Sequence, residues 1–420
     1  MSTSRREFIQ NGLTFVSLGM TIPAALARAS AEVYPGGASS SSATGNILVV
    51  LQMFGGNDGL NTVIPYTDPL YYQNRPTIGI AKSDVLQISD KVGFHPAMTG
   101  MKSLYEKGHL AVVQGVGYPN PNLSHFRSTE IWETADPVSE IVGEGWLGRY
   151  FDDDGHLREN PLVGINFGAK VPHTLYTDYG SVVSMENPTA YQMQAINPQQ
   201  RTPELDAFTA LYSQGTLAND YSDLVRKIGS DAYTTSNRIQ AALKNEIQNQ
   251  SARKMGNGNA KLSQLTQNLK YVAELISADL GTKVFYISTG GFDTHAGQPP
   301  TQARLLADLS ESLEQFYSEL ERRGLQNKVT LVTFSEFGRR VQENASSGTD
   351  HGTASSLFVM GGAVKGGLYG QYPSLEDLDM GNLKFNTDFR DVYSTMLEKW
   401  LGVTSQKILE GTFSPLPLLS

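Results

Sequence analysis

The stretch "TKVFYISTGGFDTHAGQ", residues 282–298, decides how the rest of the chain is read. Its first part, Val284 to Ile287, is an uninterrupted apolar run, which suits a strand buried on both faces of a sheet. Gly290 and Gly291 supply the turn that ends it. Asp293 and His295 are not needed for that turn and require a different explanation. In open α/β sheets ligands bind beyond the carboxyl ends of the strands. The two residues therefore predict a site assembled from several strand ends.

Similar apolar runs recur at "NILVVLQM" (46–53), "LAVVQGVG" (110–117), "PLVGINF" (161–167), "KVTLVTF" (328–334) and "SSLFVMGG" (355–362). Helical patterns lie between them. Leu305, Leu309, Leu313, Phe316 and Leu320 repeat at three- and four-residue spacing, as do Leu262, Leu265, Leu269, Val272 and Ile276. A closing helix carries Phe389, Val392, Tyr393, Met396, Leu397 and Trp400 on one stripe. Buried strands alternating with amphipathic helices predict an α/β fold: a central, mostly parallel sheet flanked by helices on both faces. Residues 202–258 are polar and helical in character and end in "GNGN", which reads as a helical insertion between the two halves of the sheet.

The chain has 420 residues and a formal charge of −9. That balance argues against a general binder of nucleic acid or anionic membranes. The absence of cysteine excludes disulfides, thiolate metal sites and cysteine nucleophiles. At the N-terminus, "SRREFIQ" (4–10) places Arg5 and Arg6 before the apolar stretch 12–27, with small residues for cleavage near Ala27 and Ala29. This pattern predicts a twin-arginine export signal over residues 1–29. Pro23 breaks the apolar run, which is too short for a bilayer span. A Gly/Ser linker over 30–45 would come next, and then an α/β domain over 46–420, periplasmic or extracellular and without a stable membrane span.

The polar residues after each run form a set. "GGNDGLNT" gives Asp58 and Asn61. "YPNPNLSHFR" gives Ser124, His125 and Arg127. "GGFDTHAGQ" gives Asp293 and His295, "EFGRR" gives Glu336 and Arg339, and "GTDHGTASS" places Asp350 and His351 just before the last apolar run. Carboxylates bring charge, and neutral imidazoles bind at neutral pH without first losing a proton, so the set suits one or two divalent ions. Zinc fits such donors best, and manganese and magnesium fit them too. Taken singly, each residue has a plainer reading. Asp58 suits the cap of a short helix starting at Gly59, His125 a hydrogen-bonded structural histidine, and Arg339 with Arg340 a solvated charge pair. His95, His109, His156 and His173 lack comparable surroundings and read as structural. A G-x-S-x-G elbow, a Walker A loop and a G-x-G-x-x-G after the first strand are all missing.

The leader, "LQMFGGNDGLNTVIPY", "SHFRSTEIWET", "GGFDTHAGQ", "TFSEFGRRVQEN", "GTDHGTA" and "DFRDVYSTMLEKWLG" together resemble the exported family of the domain of unknown function numbered 1501. That family is similar in fold to the alkaline phosphatase and sulfatase superfamily. The resemblance implies a two-metal site. Asp58 matches the first-strand metal aspartate, and Asp293 with His295 an Asp/His pair. Glu336 stands where an aspartate followed by histidine is expected, His351 resembles the last histidine ligand, and Asp350 is extra. Ser124 falls near the superfamily's nucleophile, with His125 or Arg127 to hold the substrate anion. The sulfatase C/S-x-P-x-R motif is absent. The resemblance thus implies a metal-dependent hydrolase of small phosphate or related anionic esters, exported by the twin-arginine machinery. Its rival is a non-catalytic exported binding protein on the same scaffold.

Overall fold

A computed structural model describes residues 45–139, 143–153, 160–178, 182–192, 220–255 and 262–419. The expected signal, all but the last residue of the linker, positions 202–219 and 256–258 of the expected insertion, and His156 lie outside the described residues.

The six apolar runs are strands of one sheet, joined by three short strands that the sequence did not mark. In chain order the strands are β1 (Ile47–Met53), β2 (Leu110–Gly117), β3 (Gly164–Phe167), β4 (Val183–Ser184), β5 (Val284–Thr289), β6 (Val329–Phe334), β7 (Ser355–Gly361), β8 (Gly367–Tyr369) and β9 (Thr387–Asp388), the short additions being β4, β8 and β9. The sheet runs β8-β2-β7-β6-β1-β5-β3-β4, with β9 also paired to β2. β1 lies parallel to both β5 and β6, and β3 is parallel to β5. β7 is antiparallel to both of its neighbours, β2 and β6. The fold is thus the mostly parallel α/β sheet that the sequence predicts.

Alternation along β1 sorts its side chains between two cores. Val49 and Leu51 face one core, which is completed by α2 (Thr99–Glu106), α6 (Gln264–Ser277) and α7 (Gln298–Arg322). Leu48 and Val50 face the other, built by α3 (His125–Thr134), α4 (Trp146–Asp153) and α8 (Phe389–Thr395), which runs on into a π-helical turn at Met396–Leu401. The apolar stripes predicted for α7 and the closing helix are buried throughout. Each fully buried leucine there contributes about 1.5–3 kcal/mol relative to exposure. Leu262 precedes α6, whose cap is Ser263. Of the expected insertion, 220–255 form one helix, α5 (Asp220–Met255), and its Ile239 and Leu243 are fully buried in the first core.

The antiparallel direction of β7 matters for the site. Segments that come after parallel strands β1, β2, β5 and β6 emerge at one edge of the sheet. Because β7 runs the other way, the segment that precedes it, with Asp350 and His351, reaches the same edge.

Candidate metal centre

Two glycines let these segments close on one another. Gly55, after β1, has φ +120, and a Cβ there would lie 2.4 Å from the backbone nitrogen of Asp293. At Gly348 a Cβ would lie 2.3 Å from the carbonyl carbon of His295. Side chains would hold these loops apart.

Three imidazoles gather around Asp293. His125 Nε2 lies 3.4 Å from its Oδ2, while His351 Nε2 and His295 Nε2 lie 3.2 and 3.1 Å from its Oδ1. The ligand atoms of His125, Asp293 and His351 all fall within 4.8 Å of one another. His295 joins from the side, its Nε2 2.9 Å from that of His351.

The other ring nitrogens explain the orientation. His125 Nδ1 meets Glu336 Oε1 at 2.7 Å, and His295 Nδ1 meets Asp350 Oδ1 at 3.2 Å. His351 Nδ1 lies 2.8 Å from the carbonyl oxygen of Leu123, which can only accept. Each Nδ1 thus faces an acceptor, and each ring turns its Nε2 toward Asp293. Metal-binding histidines are held in this way, with the distal N–H given to a carboxylate or carbonyl. No hydrogen-bond partner is found for His125 Nε2. Two lone pairs facing each other at the His295–His351 distance repel unless a proton or a cation lies between them.

Electrostatics act on two of the carboxylates: Asp293 meets the Arg339 guanidinium at 2.7 Å, and Asp350 is near Arg340. Burial alone would raise the Asp293 carboxyl, but hydrogen bonds from Arg339 and His351 hold it down at about 2, so it is ionised at neutral pH. Hydrogen bonding from Asn344 likewise lowers Asp350. The donor set fits a divalent cation.

The remaining residues fall elsewhere. Asp58 stands outside this set. Its Oδ1 caps the short helix α1 (Gly59–Thr62) through Leu60 N and Asn61 N. Its Oδ2 takes Arg75 Nη1 and Gln298 Nε2, both at 2.5 Å, so protein donors fill both of its oxygens. Glu336 is fully buried and accepts from Gly55 N at 2.8 Å as well as from His125, which makes it the group that orients a ligand. Ser124 is exposed at the N-cap of α3, and its hydroxyl makes no capping bond. Arg127 turns along its own helix, pairing with Glu130 at 3.0 Å and donating to Ser139 O, and does not face the cluster. His125, read from sequence as a substrate contact, is placed among the candidate ligands.

Arg339 is not the solvated charge that the sequence suggests. Its side chain is fully buried, and it donates to the carbonyls of Gly55, Gly56, Phe292 and Thr349 and to Asp293 Oδ1 at 2.7 Å. It clamps the loops after β1 and β5 to the segment before β7. Arg340 is half-buried and donates to Met380 O. Arg75 and Ser128 carry no signal in the sequence. Ser128 is buried between Tyr118 Oη, at 2.7 Å, and the carbonyl of Glu336, and so ties α3 to the loop after β6.

A buried sheet with a histidine–aspartate cluster at its edge makes this an α/β protein with a candidate metal site at the strand ends. The chain matches the family described as "Protein of unknown function (DUF1501)" over residues 46–412 and belongs to it. No curated protein matches it. Among solved structures it is similar to a protein in the alkaline phosphatase superfamily from Vibrio parahaemolyticus, with 9% identity, 97% of this chain and 79% of that one covered, and a TM-score of 0.41. It is also similar to the lipoteichoic acid synthase LtaP from Listeria monocytogenes, with 9% identity, 88% and 75% covered, and a TM-score of 0.40. A third is the C-terminal periplasmic domain of EcEptC from Escherichia coli in complex with Zn, with 10% identity, 77% and 74% covered, and a TM-score of 0.36. At such identity these likenesses carry neither an activity nor a site to this chain. No helix among the described residues is long and apolar enough to cross a membrane.

Proposed function

We propose that this protein is a metal-dependent hydrolase of phosphate or related anionic esters, exported by the twin-arginine route and acting in the periplasm or outside the cell. One observation carries the reading: three imidazoles, each with Nδ1 bound to an acceptor, turn their Nε2 atoms onto one ionised aspartate. His125, Asp293 and His351 would hold the ion, with His295 beside them, and zinc suits that mixture of nitrogen and oxygen donors best. A divalent ion bound there supplies Lewis acidity toward an ester oxygen. The chain's own part is to fix that geometry. Glu336 holds the His125 ring, Arg339 holds the Asp293 loop, and Ser124 offers an exposed hydroxyl beside His125 for attack on the ester.

The rival reading, a non-catalytic exported binding protein, has its own observation. Arg339 already satisfies Asp293, so the cluster closes as an ion-pair network without a metal. Phosphate, phosphonate and sulfate esters tested against the chelated and metal-resupplied protein separate the two. The hydrolase reading expects turnover that returns with metal and vanishes in Ser124→Ala, while that variant still binds metal. Turnover untouched in Ser124→Ala removes the serine from the reaction, and no turnover of any ester favours the rival.

A further inference from the structure

The donor set read from the sequence admits one ion or two. Two ions in one centre stand about 3.5–4 Å apart, so each needs its own donors or a carboxylate that gives one oxygen to each. The two oxygens of Asp293 have different surroundings. Oδ2 lies 3.4 Å from His125 Nε2. Oδ1 takes Arg339 Nη2 at 2.7 Å, and Nη1 of the same guanidinium lies 3.4 Å from His295 Nε2. The guanidinium stands against Oδ1 and His295 Nε2 together, and these two atoms, 3.1 Å apart, are the pair that a second ion would share. Its side chain is fully buried and held by the carbonyls of Gly55, Gly56, Phe292 and Thr349. A cation fixed there repels a divalent ion brought to the same two atoms.

The other candidate donors are committed. Protein donors fill both oxygens of Asp58. Glu336 Oε1 accepts from Gly55 N and faces His125 Nδ1, and Asp350 Oδ1 accepts from Asn344 Nδ2 and faces His295 Nδ1. Beside His125 and His351 the ring of Phe337, at 4.9 and 4.6 Å, offers no ligand atom. That ring is packed so closely that a Cβ on Gly56 would lie 2.3 Å from it. Among the described residues, one group of three ligand atoms has all its members within 4.8 Å of one another, and it comes from His125, Asp293 and His351.

We propose that the centre takes a single divalent ion, held by His125, Asp293 and His351, and that the guanidinium of Arg339 stands as a built-in cation where a second ion would bind. Arg339 is then a positioning residue: fully buried, it acts on the ion only through Asp293. The inference rests on the reading above that the cluster binds metal.

The test uses the full chain, stripped with chelator and titrated with zinc in a calorimeter, the bound metal being counted by elemental analysis after gel filtration. The expected result is one equivalent, taken up in a single step. Manganese gives a second readout: with two equivalents supplied, a one-ion centre shows a paramagnetic resonance signal free of coupling, whereas two neighbouring ions couple. Arg339→Gln frees Asp293 Oδ1 and His295 Nε2 and should take up two equivalents of zinc, while Arg339→Lys, which keeps the charge, should take up one. Both variants are read only where their circular dichroism matches that of the unaltered chain, because Arg339 also clamps the loops; the first two measurements decide without them. Two equivalents of zinc on the unaltered chain, or a coupled manganese pair, overturn the proposal and leave the metal reading standing. A folded Arg339→Gln that still takes up one equivalent removes Arg339 from the count. No zinc on the unaltered chain overturns the metal reading, and this inference with it.

Discussion

Asp58 and Asp293 come after neighbouring parallel strands, β1 and β5, and each meets an arginine, at 2.5 and 2.7 Å. Their fates differ. Asp58 is 2% exposed, and protein donors fill both of its oxygens. Asp293 keeps a side chain 47% exposed and is ringed by the Nε2 atoms of three imidazoles. One carboxylate at this edge closes the fold, and the other is left open to a ligand. Residue type and topological position alone do not distinguish them; what distinguishes them is which side chains arrive from elsewhere.

The largest expected effect tests the closed member of the pair. Asp58→Ala leaves Arg75 charged and buried, and the loss should be about 3–5 kcal/mol, the usual cost of breaking a buried ion pair. Denaturant unfolding measures it, and a loss under about 1 kcal/mol would mean that Asp58 is no lock.

Glu133 sharpens the contrast, because among the described residues no lysine or arginine pairs with it and its one ion-pair neighbour is His173, at 4.0 Å. Desolvation raises its carboxyl to about 7, despite hydrogen bonds from Tyr286 Oη and His173 N. The folded value lies above the unfolded one, so the native state holds the proton longer. Stability is full below the unfolded value near 4.5 and falls as pH rises toward about 7. The fall should be about 3 kcal/mol at most, at 1.36 kcal/mol per unit. Unfolding free energies between pH 4.5 and 7.5 should show that decline, and Glu133→Gln should flatten it. An equal slope in the variant would assign the decline to other groups.

Glu336→Gln keeps the shape beside His125 but weakens the grip on its Nδ1–H. Zinc affinity should fall roughly 10- to 100-fold, the usual cost of losing the group that orients a ligand. Competition with a chelator measures it, and an unchanged affinity would remove His125 from the ligand set. The smallest expected effect concerns stability at the open site. Asp293→Ala should cost no more than about 1 kcal/mol without metal, because half-exposed pairs contribute little and four carbonyls still hold Arg339. If Asp293→Ala proves as costly as Asp58→Ala, the contrast between open and closed carboxylates collapses.

The strands were legible because burial on both faces leaves uninterrupted apolar runs, and those runs place Ser124, His125, Asp293, His295 and Glu336 at one edge. Asp350 and His351 reach that edge only because β7 runs antiparallel, and the sequence carries no sign of that direction. Asp58 offered two readings, cap or ligand; Arg75, 17 residues on, settles it as a cap, and nothing in "QNRPT" marks that arginine as buried. Arg339 was visible as a strand-end residue, but its burial depends on carbonyls from three other segments. The role of His125 was hidden for a related reason: a ligand's orientation comes from its second nitrogen, and the partner, Glu336, lies 211 residues away.

The most direct test of the central claim is metal content. The full chain, purified without chelator and then resupplied with zinc, manganese or magnesium, is compared with Asp293→Ala and His351→Ala by elemental analysis. The account predicts at least one equivalent of divalent metal in the unaltered chain, lost in both variants while their fold persists. Metal retained in both variants, or none bound by the unaltered chain after resupply, would contradict it and leave Asp293 and its histidines as an ion-pair clasp.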